Sequence, residues 1–371
     1  MHRSLFFLPG FFLSAVFFAA TPGGVGQQRS DTKPVNDFVS SRCWSYGIEG
    51  GTSLAADQFG IYSASREARV EAISFNGKKL WSSELGGELT SNLVVADTGI
   101  FVASSTGVAE GDRSPPSSLK FLKKETGITS FTFKLPAAAR HFLYTDPAGL
   151  IVVSSNGVIQ SIDATVGTLR WKREITAEFD GEPYFNSTKL VVASKDSKLF
   201  VISLASGEIE TMRKMSVAPV AMSETPFGDL LIGDSRGNLS LYPRGSERAY
   251  WRFKSGGSVT NLGFAAGNIL AASHDNFVYM LFPRNGSLSW KRRFAGRITH
   301  VGILQNGLGL ITSLDEHGAS FIDLSSGKVV GQMVFESDEV AATDPIIANG
   351  SVLVLTNQRV IDYALGKCPE P

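Results

Sequence analysis

The chain is short of the residues from which active centres are usually assembled. Its 371 residues hold two cysteines and five histidines, and neither sign of charge is in surplus, with 35 Lys and Arg against 35 Asp and Glu. A chain so balanced has no net field with which to gather nucleic acid or an anionic membrane surface, so no nucleic-acid partner is expected. No C-x-x-C-H haem sequence, H-E-x-x-H pair, Cys-Cys pair or phosphate-binding G-x-x-x-x-G-K-[ST] loop is present. Charged residues make up only 19%, whereas glycine is plentiful at 38. That balance suits many short strands joined by tight turns better than long surface helices.

Long apolar runs are also missing, except at the start. "MHRSLFFLPGFFLSAVFFAATPGG" has a short basic head, an apolar run from Leu5 to Ala20, and then proline and small residues. This is the pattern of a secretory signal peptide over 1–26, cleaved near Gly26 and followed by a linker over 27–40. The competing reading is a retained anchor helix, but a run broken by Pro9 and Gly10 falls short of the roughly 20 apolar residues a span needs. The expectation is an exported protein, periplasmic or secreted, that is not integral to a membrane after cleavage. No cysteine lies beside the cleavage region to carry a lipid.

What is present is a repeat. Turn glycines stand at Gly77, Gly127, Gly167, Gly207, Gly245, Gly286, Gly327 and Gly366, spaced by about 40 residues except for one longer interval. The long interval holds "GDRSPPSS" (111–118), the composition of a surface insertion. A large aromatic follows four residues after the glycine in Trp81, Phe131, Trp171 and Trp290; Trp251 comes two residues late, and Thr211 and Gly331 depart from the pattern. Each glycine is preceded by two apolar β-branched runs. Four short strands in a period near 40 residues are the signature of a β-propeller blade. Helical solenoids of similar period need a 3.6-residue pattern that these glycine-punctuated runs do not carry.

Eight aromatic outer strands can be counted, beginning with "CWSYGI" (43–48), while the last unit ends at "GKCPEP" without one. The fold class expected is therefore all-β: an eight-bladed β-propeller of four-stranded antiparallel blades over 41–371, its ring closed by the N-terminal strand, which removes an exposed edge. At that join Cys43 and Cys368 come side by side, and an even pair in an exported protein suggests a disulfide.

The stretch "IDATVGTLRW" resembles the tryptophan-docking repeat of quinoprotein (PQQ-like) propellers, with "ISFNGKKLW" and "LFPRNGSLSW" as degenerate copies. The resemblance covers residues 40–368, and gives Gly77, Gly167, Gly286, Trp81, Trp171 and Trp290 structural roles in the repeat. Two kinds of protein share it: PQQ-dependent alcohol and sugar dehydrogenases, and shorter non-catalytic propellers of the BamB type, which act in outer-membrane protein assembly. In length and blade count this chain is similar to the second kind. The resemblance then implies a non-enzymatic scaffold, a monomer within a complex of other envelope proteins, with no cofactor. The quinoprotein dehydrogenase and a propeller binding a small ligand or glycan are the alternatives. The Ca²⁺ and quinone of the dehydrogenases find no ligand pattern here, because "DSRGN" (234–238) has the wrong spacing.

Candidate recognition residues lie where the chain passes from an outer strand to the next innermost strand. Arg140 and His141 enter the third blade, Arg297 and His300 the seventh, and Glu178 the fourth, with Glu88, Asp180, Asp338 and Glu339 in equivalent loops. Together they would line a mixed-charge funnel mouth suited to a partner peptide or small anion. His274 and His317 fall in hairpin turns. The basic bias of the outer strands, Lys172/Arg173, Arg213/Lys214, Arg252/Lys254 and Lys291/Arg292/Arg293, reads as a solvated face.

Overall fold

The computed structural model describes residues 41–368, apart from 106, 108–114, 139, 147–148, 305–306, 315–316 and 337. The expected signal segment and linker lie outside the described residues, as do residues 111–114 of the insertion. The described chain folds into eight antiparallel sheets and no helices. We number these blades 1 to 8 from residue 51 onward. Blade 3 shows the plan, running outward in chain order through His141–Asp146, Gly149–Ser154, Val158–Ile162 and Leu169–Glu174. Blade 2 divides its innermost strand into Glu88–Leu89 and Val94–Ala96, both paired with Gly99–Ser105. Blade 8 takes three strands from the C-terminal end and its outer strand, Ser41–Gly47, from the other end of the described chain. The ring closes as its repeat count implies.

Strand chemistry follows position in the blade. Second strands such as "GLIVVS" (149–154) are buried at every residue because neighbouring blades cover both faces, so they read as unbroken apolar runs. Outer strands such as "LRWKRE" (169–174) alternate half-buried and exposed residues. The core accordingly lies between blades, one apolar cluster per junction. Tyr62, Val70, Ile100 and Val102 join blades 1 and 2; Ile151, Ile159, Leu190 and Val192 join blades 3 and 4; Ile61, Ile73, Leu353 and Leu355 join blade 8 to blade 1. Each fully buried side chain of this kind stabilises the fold by roughly 1.5–3 kcal/mol.

One contact recurs at the rim. Trp44, Trp81, Trp171, Trp251 and Trp290 each lie against the turn glycine of the following blade: Gly77, Gly127, Gly207, Gly286 and Gly327. Phe131 meets Gly167 in the same way. These glycines have φ between 68° and 77°, and a Cβ on Gly207 would stand 2.5 Å from the Trp171 ring. Only glycine supplies both the left-handed turn and the flat surface. Every indole also donates its Nε1–H to a carbonyl of that turn, as Trp171 does to Leu204 at 2.9 Å and Trp251 to Pro283 at 2.8 Å.

The repeat's irregularities now have physical meanings. Trp251 is late because the turn before it is longer; it still pairs with Leu241 and docks on Gly286. Where Thr211 and Gly331 replace the aromatic, the following glycines, Gly245 and Gly366, have nothing within 4 Å of a Cβ position. The basic bias of the outer strands divides by alternation. Lys172, Lys214, Arg252, Lys254, Lys291 and Arg293 are exposed. Arg173, Arg213 and Arg292 are half-buried against the next blade, so for these three the solvated-face reading does not hold. Arg173 and Arg292 donate from Nε to Gly207 O and Gly327 O, each at 2.7 Å, which completes the indole's hold on the turn.

Cys43 and Cys368 form a disulfide with their Cα atoms 5.3 Å apart. It joins the outer strand of blade 8 to the segment that ends the same blade, and so staples the ring at its one composite blade. Removing the bond in the doubly substituted Cys43→Ser, Cys368→Ser protein is expected to lower unfolding free energy by about 2–5 kcal/mol. Hydrogen exchange should locate the loss first in residues 41–47, and an unchanged melting temperature would show that strand pairing alone closes the ring.

Candidate functional site

The face carrying the loops into blades 3 and 4 holds a cleft of about 420 Å³. Arg140, Phe142, Glu178, Asp180, Glu182 and Lys195 supply its chemistry. Arg140 is exposed and lies with its guanidinium 4.5 Å from the centre of the Phe142 ring, which holds the charge at the rim. Glu178 pairs with Lys195 at 2.6 Å, both exposed, and this hydrogen bond holds the Glu178 carboxyl below its ordinary value. Glu182 and Asp344 each stand just before the innermost strand of their blade, 4 and 8, positions the sequence reading did not single out. Crowding by protein raises both carboxyls. Repulsion from Asp344 adds to the rise at Glu182, and Arg140 opposes it. Asp344 also accepts from Val301 N at 3.3 Å, tying blade 7 to blade 8.

The residues expected at one funnel mouth are not brought to one place. Arg140 and Glu178 share the cleft, whereas Arg297 is exposed elsewhere on the rim, beside His274, whose pKa is lowered first by partial desolvation and then by the Arg297 charge. His141 is fully buried. Its backbone N donates to Thr90 O at 2.7 Å and its Nδ1 lies 2.9 Å from Ser154 Oγ, so it pins blade 3 to blade 2 instead of facing a ligand. His300 repeats the arrangement in blade 7, with Nδ1 3.3 Å from Thr312 Oγ1. Glu339 is another loop residue that turns inward: it is fully buried and ion-paired with Arg359. His274 and His317 are exposed turn residues.

Two arrangements resemble hydrolase parts without their geometry. The His141–Ser154 pair has the spacing of a base and a nucleophile, yet both residues are wholly buried and no substrate can reach them. Residues 233–237, "GDSRG", fit G-x-S-x-G, a motif whose use requires a strand running into a helix. Here it spans the hairpin between Leu230–Asp234 and Asn238–Tyr242, with Asp234 accepting from Arg236 N at 2.9 Å and Asn238 N at 2.8 Å. It is a turn. Among the described residues no group of three or more His, Cys, Asp or Glu gathers as a metal site. What the cleft can do is recognise: it offers both signs of charge and an aromatic floor on two rigid blades.

Burial pushes the imidazoles of His141 and His300 down to about 4. Both are neutral in the fold, whereas in the unfolded chain they protonate near 6.5. Their contribution is present in full above about pH 6.5 and is lost as the pH falls toward 4, at about 1.4 kcal/mol per pH unit for each ring. Denaturant unfolding at pH 7 and pH 5 is therefore expected to show a smaller difference in His141→Phe than in the parent, by about 1–2 kcal/mol. An equal difference would mean that His141 is already solvated.

Comparison with known proteins places this geometry among relatives. Residues 118–242 match the family described as Outer membrane protein assembly factor BamB. A curated Yersinia pestis protein of that name is 19% identical over 350 residues, spanning 87% of this chain and 88% of its own length. Among solved structures, the crystal structure of BamB from Moraxella catarrhalis superposes with a TM-score of 0.69 at 14% identity, covering 90% of this chain and 100% of that one. Quinohemoprotein alcohol dehydrogenase from Comamonas testosteroni superposes with a TM-score of 0.67 at 8% identity, covering 90% of this chain and 77% of its own. In fold and repeat the chain is similar to BamB.

Proposed function

We propose that this protein is an exported, non-catalytic scaffold that holds other envelope proteins during outer-membrane protein assembly. The observation that carries the reading is the likeness to an outer membrane protein assembly factor across nearly the whole of both chains. The site agrees with it. A mixed-charge cleft with an aromatic floor suits a polypeptide partner, and the pairs that resemble catalytic parts are buried or bound up in turns. The apolar leader supports export, and a chain without a lipid-bearing cysteine would reach the outer membrane through its partners. The dehydrogenase likeness favours a second reading, a quinone-dependent oxidoreductase, which predicts tight quinone binding with Ca²⁺ and dye-linked oxidation of alcohols or sugars.

The deciding measurement is capture of the tagged protein from its native envelope after mild crosslinking, with partners identified by mass spectrometry. Outer-membrane assembly components are expected, and recovery of no stable protein partner would overturn the proposal and bring quinone titration forward. Charge reversal in the cleft, Arg140→Glu, is expected to weaken capture by about tenfold, the loss of one well-placed anchor. Arg297→Glu, outside the cleft, should leave capture unchanged.

A further inference from the structure

The junction between blades 4 and 5 lacks the aromatic contact that six of the eight rim junctions use. Thr211 pairs with Val201 in the register where Trp171 pairs with Ser161, so a docking indole is missing from a strand otherwise in place. Gly245, with a φ of 74°, has nothing within 4 Å of a Cβ position. The result is a cavity of about 340 Å³ lined by Thr211, Arg213, Tyr242, Pro243 and Gly245. The apolar cluster at this junction is correspondingly small: Val191, Ala193, Leu199, Ile232 and Tyr242.

Arg213 shows what the cavity lacks. Its guanidinium lies 4.7 Å from the centre of the Tyr242 ring and donates from Nη2 to Ser246 O at 2.7 Å. Its Nε and Nη1 are buried without an acceptor, although the equivalent Nε of Arg173 and Arg292 is satisfied by the next turn glycine. Buried, unpaired guanidinium donors are costly, and a carboxylate is their best complement. Nearby acids are mostly engaged: Glu224 accepts from Tyr184 and Asn186, and Glu210 pairs with Lys189. Glu247 also stands on the wall, offset by Arg244 beside it and by Arg248 on the adjoining rim. Beyond the cavity, Tyr250 is 66% exposed on the adjoining rim with Arg248 and Arg252.

We propose that this slot binds an aromatic side chain carried on an acidic segment of a partner protein. The ring takes the place an indole of this chain takes at other junctions, over Gly245, and a neighbouring carboxylate reaches Arg213. The exposed Tyr250 ring and the basic rim continue past the volume of one ring, which favours a peptide over a free aromatic acid. The slot is a rim site separate from the face cleft, so failure of the envelope capture would leave this inference standing.

The test is titration of the full chain with a capped acidic peptide bearing one central tryptophan. The same peptide with alanine for tryptophan, one with lysines for the acids, and N-acetyltryptophan serve as comparisons. Saturable binding of the first peptide alone is expected, weakened at least about tenfold by Arg213→Gln. Thr211→Trp, which refills the slot from within, should abolish binding while raising the melting temperature. Several results would overturn the proposal: no binding of the tryptophan peptide, equal binding by the alanine or lysine peptide, or equal binding of N-acetyltryptophan. Undiminished binding by Thr211→Trp, or a melting temperature lowered by that substitution, would do the same.

Discussion

An aromatic ring laid on a turn without a Cβ couples six of the eight blade junctions, five of them through an indole, and the rest of the ring is arranged around that contact. The dock has two parts that must coincide. Glycine with positive φ removes the Cβ that would strike the ring, and the same turn presents the carbonyl that receives the indole N–H. A docked tryptophan therefore reports that the next turn has formed correctly. Because partners lie one repeat apart, stability accumulates from neighbour to neighbour, as in other repeat proteins. A ring differs from an open array in having no unpaired end, provided that the last blade meets the first.

That condition explains blade 8. It is assembled from both extremes of the described chain, and the junction leading into it is one where Gly331 replaces the aromatic. Two things stand in for the missing dock. Phe321, Phe335 and Tyr363 fill the interface between blades 7 and 8, with Tyr363 Oη donating to Val334 O at 3.3 Å. The disulfide then fixes the outer strand that the backbone cannot reach. The junction between blades 4 and 5 has lost its aromatic without such repair, and a buried arginine there keeps two donors unsatisfied. One junction is thus refilled by aromatic packing, whereas the other keeps buried donors unsatisfied, as the proposed slot requires.

The propeller was legible because its signals are backbone requirements. A positive-φ turn needs glycine, and a strand buried on both faces needs an unbroken apolar run, so the repeat from Gly77 to Gly366 can be counted without knowing any contact. Side-chain direction was legible only in part. His141 follows a loop and reads as a rim residue, but the strand begins at His141 itself, and the start of an innermost strand is covered by the blade before it. Glu339 reads as a loop acid until Arg359, twenty residues on, is seen to hold it inside. Arg173 and Arg292 differ from their exposed neighbours by one step of strand alternation, a distinction that depends on register. The cavity at Thr211 is the least legible feature, since a missing side chain marks a site only once the neighbours that ought to touch it are known.

The same rigidity bears on what the faces can do. Catalysis needs reacting groups that converge on a space a substrate can enter, and the His141–Ser154 pair, which has suitable spacing, is sealed between strands. Recognition asks for less: charges and rings held at fixed separations on elements that do not yield. Arg140 over Phe142 and Glu178 against Lys195 meet that requirement, because the strands behind their loops are locked by the interblade core. Glu182 and Asp344 add carboxyls that hold protons more tightly than ordinary ones. On the proposed reading, a partner arriving at this face would meet a surface whose charge pattern is set by blade geometry, and the rim contacts that maintain the geometry would serve its recognition.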